Sequence, residues 1–309
     1  MPQLCVGTMR WSDPLDNLSG VVDRINRKDR VSVIHADLTD AWSMARAVRE
    51  SVPDYVFHLA AQSYPKTSFT APEDTINTNV NGTLNVLEAV LEFSPRARVH
   101  VCSSSEVYGK VEKKWLPITE SCPFHPASPY AISKVGTDLL GQHYAQAYGL
   151  TVLVTRMFTH TGPRRGDVFA ESSFAKQIAM IEAGMIEPPI RVGNLASRRT
   201  IADVRDAVAA YHKLLTVNPI AGEVYNIGGS HTCTVGEVLD ALFKAAGNRY
   251  DIRIDEDRLR PIDADNQVPI ISKFTMHTGW RPAITFDQTM LDLLNYWRER
   301  VKSGVVLQR

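Results

Sequence analysis

From residue 31 onward, short apolar runs alternate with amphipathic stretches. VSVIHADL (31–38), YVFHLAAQ (55–62), ARVHVCSS (97–104) and TVLVTRMF (151–158) have the length and β-branched content of buried strands. WSMARAVRESV (42–52) reads as a helix between the first two. In DTINTNVNGTLNVLEAVLEF (74–93), Ile76, Val80, Leu84 and Leu87 fall close to helical spacing. ASPYAISKVGTDLLGQHYAQAYG (127–149) reads as a long helix that stops at Gly149. Strands alternating with helices predict right-handed crossovers and a doubly wound, mostly parallel α/β sheet covered on both faces. CVGTMRWSDPLDNL (5–18) reads as one further strand and its following loop.

Beyond residue 160 the texture changes to PRRGD (163–167), a Pro188-Pro189 pair and mixed short runs. ADVRDAVAAYHKLL (202–215) predicts another helix, and GEVYNIGG (222–229) a strand that rejoins the sheet. The chain therefore divides into residues 1–160, to which 201–230 return, and a smaller region over 161–309. No internal repeat or low-complexity segment interrupts it.

Lysine and arginine number 34 against 34 acidic residues, a net charge of zero. That balance gives no reason to expect a nucleic-acid or anionic-membrane surface. No stretch reaches the roughly 18 apolar residues of a membrane helix. The N-terminus lacks the apolar core of a signal peptide, so a cytoplasmic protein is expected. Cys5, Cys102, Cys122 and Cys233 form no CxxC pair, which argues against a disulfide framework and against a zinc site. His58, His125 and His160 lack metal-ligand spacing and read as packing residues, as does Trp280; no metal is expected.

Tyr130 and Lys134 form a YxxxK pair, and on a helix these positions share a face. A free phenol titrates near 10, and a neighbouring ammonium favours the phenolate. SSSEVYG (103–109) follows a predicted strand, at the sheet end where open α/β folds collect ligands. There Ser104 can donate a hydrogen bond to a sugar oxygen, and Glu106 is a candidate general base. Arginine suits oxyanions and planar rings, which makes Arg164, Arg165, Arg199 and Arg260 candidates for a diphosphate and a base.

HLAAQS (58–63), SSSEVYG (103–109), SPYAISK (128–134), RMFTHTGPRRG (156–166) and VGNLASRRTIADVRDAV (192–208) together resemble the extended short-chain dehydrogenase/reductases that act on nucleotide sugars. DLTD (37–40), YNIGG (225–229), LRP (259–261) and TGWRP (278–282) extend the resemblance over nearly the whole chain. Within that family the chain resembles GDP-mannose 4,6-dehydratases through PRRGD and AQSYPKTSF (61–69). It resembles GDP-4-keto-6-deoxymannose reductases through FAKQIAMIEAG (174–184). Thr159 and Thr200 depart from the asparagine and aspartate usual at those places.

The resemblance implies a Rossmann-like dinucleotide-binding region over 1–160 and a substrate-binding region over 161–309. It implies catalysis by Ser104, Glu106, Tyr130 and Lys134, and cofactor contacts from Arg10, Asp37, Leu38, Leu59, Ala60, Ala61, Tyr130 and Lys134. Ser63, Ser104, Thr159, Arg164, Arg165, Arg199, Arg260 and Asp263 are the implied contacts to a GDP-sugar substrate. Arg10, where an acid would favour NAD, selects NADP over NAD. A homodimer or homotetramer is implied.

The activity expected first is a 4,6-dehydratase with a catalytic NADP. An NADPH-dependent 4-keto reductase is the alternative, and a non-catalytic nucleotide-sugar-binding remnant is a reading of another class. The glycine-rich strand–turn–helix that opens this fold is not found in the sequence. A start placed downstream of the true one, or a variant that binds cofactor weakly, is the expectation there.

Overall fold

The computed structural model describes residues 4–14, 16–259, 262 and 264–304. In chain order the first half runs β1 (Cys5–Met9), α1 (Val22–Asn26), β2 (Val31–His35), α2 (Ala41–Ser51), β3 (Tyr55–His58), α3 (Pro65–Thr70), α4 (Pro72–Ile76), α5 (Gly82–Phe93), β4 (Arg98–Cys102), α6 (Pro129–Tyr148) and β5 (Thr151–Met157). It continues through β6 (His160–Thr161), α7 (Ala170–Glu182), β7 (Ile190–Val192), β8 (Arg198–Asp203), α8 (Val204–Thr216) and β9 (Val224–Ile227). The last elements are β10 (His231–Thr234), α9 (Val235–Ala246), β11 (Ile252–Ile254), β12 (Asn266–Gln267), α10 (Ser272–Thr278) and α11 (Phe286–Lys302).

The central sheet has the order β3-β4-β5-β9, all parallel. Its inner strands β4 and β5 are buried on both faces, with His100, Thr155 and Arg156 set among their apolar residues. Val99, Val101, Val152 and Val154 pack under α2, α5 and α6, while Leu153 and Met157 meet α8 and α10. Gly141 lets α6 lie close on the sheet, since a Cβ there would stand 2.8 Å from a Val154 methyl. This is the doubly wound α/β architecture that the hydrophobic pattern predicts.

β1 and β2 form a separate parallel pair, beside which Asn85 of α5 donates to the Leu38 carbonyl at 2.7 Å. Among the described residues no hydrogen bond joins this pair to β3. Val6 on β1 and Tyr55 and Phe57 on β3 are exposed. A second layer is built from α7, α9 and α11 around Phe243, Leu293 and Trp297. There β8 lies between β10 and β12, and β7 pairs with β11.

The helix expected over 74–93 is present but carries one interruption. Residues 77–81 make a π turn between α4 and α5, which rotates the face the helix buries. Thr75, Asn79, Thr83, Val86 and Leu87 are buried, whereas Leu84 is exposed. The polar members of that face are satisfied: Thr83 donates to Asn79 O (2.6 Å), and Asn79 Nδ2 donates to Ser133 Oγ on α6 (2.8 Å).

Behind the sheet's loop end lies a buried polar network. Arg156 of β5 donates to both Asp138 oxygens on α6, at 2.8 and 3.0 Å. Its Nη1 also donates to Tyr108 Oη (3.0 Å) and to the Glu120 carbonyl (2.9 Å). Tyr108 in turn donates to Asn226 Oδ1 of β9 (2.7 Å), and Asn226 N donates to Glu120 Oε1 (2.8 Å). Removing one partner from such a pair strands the other charge in a dry interior. Asp138→Ala is therefore expected to lower the unfolding free energy by about 3–5 kcal/mol in urea denaturation. A loss below roughly 1 kcal/mol, the level of a surface pair, would show that water relieves Arg156.

Candidate functional site

The loop leaving β4 and the first turns of α6 meet at the carboxyl end of the sheet. Ser128 caps α6 by accepting from Ala131 N (3.0 Å), Pro129 presets its first turn, and Gly149 ends it at φ 71°. The cap fixes the helix phase, so Tyr130 and Lys134 share one buried face. Lys134 Nζ donates to Cys102 O at 2.8 Å, and Ser103 Oγ donates to Lys134 O at 3.3 Å. Ser104 is extended and accepts from Glu106 N at 3.2 Å, starting a single 3₁₀ turn. Gly109 closes that turn at φ 52°, where a Cβ would collide with the His125 carbonyl.

Ser104, Glu106, Tyr130 and Lys134 line one cavity of about 980 Å³. Burial pushes the Tyr130 phenol above its usual range, opposed by a hydrogen bond from Ser104 and by the charge of Arg165. Burial also pulls the Lys134 ammonium down. Desolvation of both groups opposes the acidification of the phenol expected of a neighbouring ammonium.

The cavity brings together Leu59, Ala61, Ser63, Thr159, Arg165 and Arg199 from the expected contacts. Ala60 does not line it. Asp37 is occupied locally, accepting from Thr39 N (2.9 Å) and Thr39 Oγ1 (2.8 Å), and Leu38 packs against Gly82. Arg10 stands exposed at the end of β1. Arg164 is corrected: it has φ 74°, is exposed and lies outside the cavity near Gly20. Its neighbour Arg165 points inward, with its guanidinium 3.5 Å from the Phe169 ring centre. The Arg165 Nε has no partner among the described residues. Arg199 donates to Arg198 O (3.0 Å) and to Ala264 O. Arg260 and Asp263 lie outside the described residues.

Sequence reasoning passed over other cavity residues. His160, read as packing, lines the wall, with its pKa lowered to about 4 by burial and Arg165. Lys176 pairs with Asp167 at 2.7 Å, and Arg191, Arg258 and Tyr211 complete the wall. Asp167 and Lys176 belong to PRRGD and FAKQI, so the motifs held the signal without marking which residues carried it. His125 is exposed, with its ring on the Lys110 carbonyl at 3.3 Å and its backbone N–H donating to Val107 O at 3.0 Å. No cluster of His, Cys, Asp or Glu that could hold a metal is found among the described residues. No described helix is long and apolar enough to cross a membrane.

A family model described as GDP-mannose 4,6 dehydratase matches residues 5–293. GDP-6-deoxy-D-mannose reductase of Pseudomonas aeruginosa is 34% identical over 81% of this chain and 82% of its own. GDP-mannose 4,6 dehydratase 2 of Arabidopsis thaliana is 32% identical over 88% of this chain and 73% of its own. Among solved structures, RMD from Pseudomonas aeruginosa complexed with NADPH superposes with TM-score 0.82 at 29% identity, covering 96% of this chain and 100% of that one.

Two histidines beneath the site set an acid limit. His58 bonds Thr83 Oγ1 (2.9 Å) and His100 bonds Thr155 Oγ1 (2.8 Å). Burial lowers both to a pKa of about 3, helped by the charge of Lys134 and, for His100, by His58. In the unfolded chain they titrate near 6.5, so between about 6.5 and 3 the unfolded state binds more protons. Stability is therefore full above pH ~6.5 and falls as pH drops through that window, by about 2 kcal/mol per histidine at pH ~5. His100→Gln, less stable at neutral pH, should lose less on the same acid step in paired denaturation curves. An unchanged slope would remove His100 from the effect.

Proposed function

The chain belongs to the GDP-mannose 4,6 dehydratase family, and from that premise we propose that it dehydrates GDP-mannose to GDP-4-keto-6-deoxymannose with NADP as a catalytic cofactor. The observation that carries this reading is Glu106, a carboxylate lining the same cavity as Ser104 and Tyr130. Reducing a ketone needs one proton donor at the carbonyl oxygen. Dehydration needs a second acid–base group, to move a proton from C5 to the leaving 6-hydroxyl.

At Lys134 the residues present fit the nicotinamide-ribose half of a dinucleotide. The buried Lys134 ammonium has three donors, of which one is used on Cys102 O among the described residues. Lys134 and Tyr130 would hold the nicotinamide ribose, Leu38 and Asp37 the adenosine, and Arg10 the 2′-phosphate. When bound, the nicotinamide supplies a hydride acceptor that is restored within each turnover. Tyr130 takes the proton from the sugar 4-hydroxyl, and Ser104 hydrogen-bonds the same oxygen. Glu106 would remove the C5 proton, made acidic by the 4-ketone, and deliver it to the 6-hydroxyl, which leaves as water; the resulting C5=C6 bond would be closed by return of the hydride to C6 and of the Tyr130 proton to C5.

Arg165, unpaired at Nε and backed by Phe169, offers its donor edges to the sugar-proximal diphosphate. Residues 1–160 with 201–230 would serve the cofactor, and 161–309 the sugar nucleotide. A second reading, an NADPH-dependent 4-keto reductase, is favoured by the 34% identity to the Pseudomonas reductase.

Incubation of GDP-mannose with the protein and a trace of NADP⁺, followed by NMR, is expected to give the 4-keto-6-deoxy product far in excess of cofactor. Glu106→Gln should cut that turnover by roughly 10²–10⁴-fold while GDP-mannose still binds. Unchanged GDP-mannose, together with one-for-one NADPH loss on the 4-keto sugar, would replace the dehydratase by the reductase.

A further inference from the structure

Arg10 does not stand alone at the end of β1. Its backbone N–H donates to Asp13 Oδ2 at 2.9 Å and its Nε to Asp13 Oδ1 at 3.0 Å. Nη2 lies 2.9 Å from that second oxygen, and Asp13 N closes the turn by donating to Arg10 O at 3.1 Å. The Nε–Nη2 edge that would clamp a phosphate is therefore already clamped on a carboxylate. Asp37, at the end of β2, is a second carboxylate within electrostatic reach of the same guanidinium. Asp74 is a third within that reach, while Arg46 donates to His35 O at 3.0 Å, so carboxylates outnumber the guanidinium groups at this corner.

That arrangement mixes two recognition chemistries that are usually alternatives. An acidic side chain accepts hydrogen bonds from a free ribose diol, whereas an arginine accommodates the 2′-phosphate. Here both sit on one turn, three residues apart. A 2′-phosphate must compete with Asp13 for Arg10 and enters a negative field, while a diol meets a carboxylate already held in place by Arg10.

We infer that Asp13 is a specificity-determining residue that restrains Arg10, weakening discrimination in favour of NADP(H) and admitting NAD(H) to the same site. The inference rests on the reading above, in which this end of the sheet receives the adenosine half of the cofactor.

The adenosine half can be tested without turnover. Calorimetric titration of the full chain with 2′,5′-ADP and with 5′-AMP gives a ratio of affinities from which general losses of folding cancel. Asp13→Asn is expected to raise the preference for 2′,5′-ADP about five- to tenfold. Arg10→Ala is expected to abolish that preference. An Asp13→Asn ratio that stays level or falls, while Arg10→Ala abolishes the preference, overturns the role of Asp13 and leaves the cofactor site standing. An unchanged ratio in Arg10→Ala, or no binding of either fragment by the natural chain, overturns the underlying reading and the inference with it.

Discussion

The ion pair between Arg156 and Asp138 is the contact on which the arrangement of the site depends. Asp138 lies on the helix that carries Tyr130 and Lys134, and Arg156 lies on the strand beneath it. Through Tyr108 the same guanidinium holds the turn bearing Ser104 and Glu106, and through Asn226 and Glu120 it reaches the edge strand β9. A buried pair of this kind contributes little stability over an apolar substitute. What it contributes is registry: the charged groups are satisfied in one arrangement only, and that arrangement aligns two cavity-lining segments that are distant in sequence. The neighbouring aromatic rings strengthen the constraint, since the Arg156 guanidinium also stacks 4.5 Å from the Phe124 ring centre.

Electrostatics in the cavity follow from burial more than from pairing. Burial raises the pKa of the Tyr130 phenol and lowers that of Lys134. The compensation is spread over several groups, with a Ser104 hydrogen bond and the Arg165 charge on one side and the Cys102 carbonyl on the other. Arg165 is the least satisfied of these, desolvated against Phe169 with an unpaired Nε. A guanidinium held in this way is stabilised by an anion, a part that Glu171 plays in this cavity at a distance.

Most of the fold was legible because strong local signals agreed with one another. Ser128, Pro129 and Gly149 mark the ends of α6, and the inner strands of the central sheet are buried and largely apolar. The buried face of α5 was not legible: the π turn at 77–81 shifts its phase, and polar residues occupy it because α6 supplies their partners. Arg164 and Arg165 are identical as letters. Only the left-handed backbone at Arg164, within the turn closed by Arg165 N to Gly162 O, sends one outward and the other into the cavity. Asp167, Lys176 and Arg258 come to the wall from separate elements, a proximity that no spacing in the chain encodes. Asp13 was passed over because an aspartate after a strand reads as an ordinary turn residue until its carboxylate is seen gripping Arg10.

The open side of β3 has a colloidal consequence. Its outer backbone groups are unpaired among the described residues, and Tyr55 and Phe57 stand beside them in water. Such an edge is a template for strand addition by any extended apolar chain. The whole molecule carries no net charge at neutral pH, so long-range repulsion does not keep copies apart. Dispersal is therefore a contest between that adhesive edge and the ionic conditions, and it favours solutions on the alkaline side of neutrality, where copies repel and the buried histidines stay neutral.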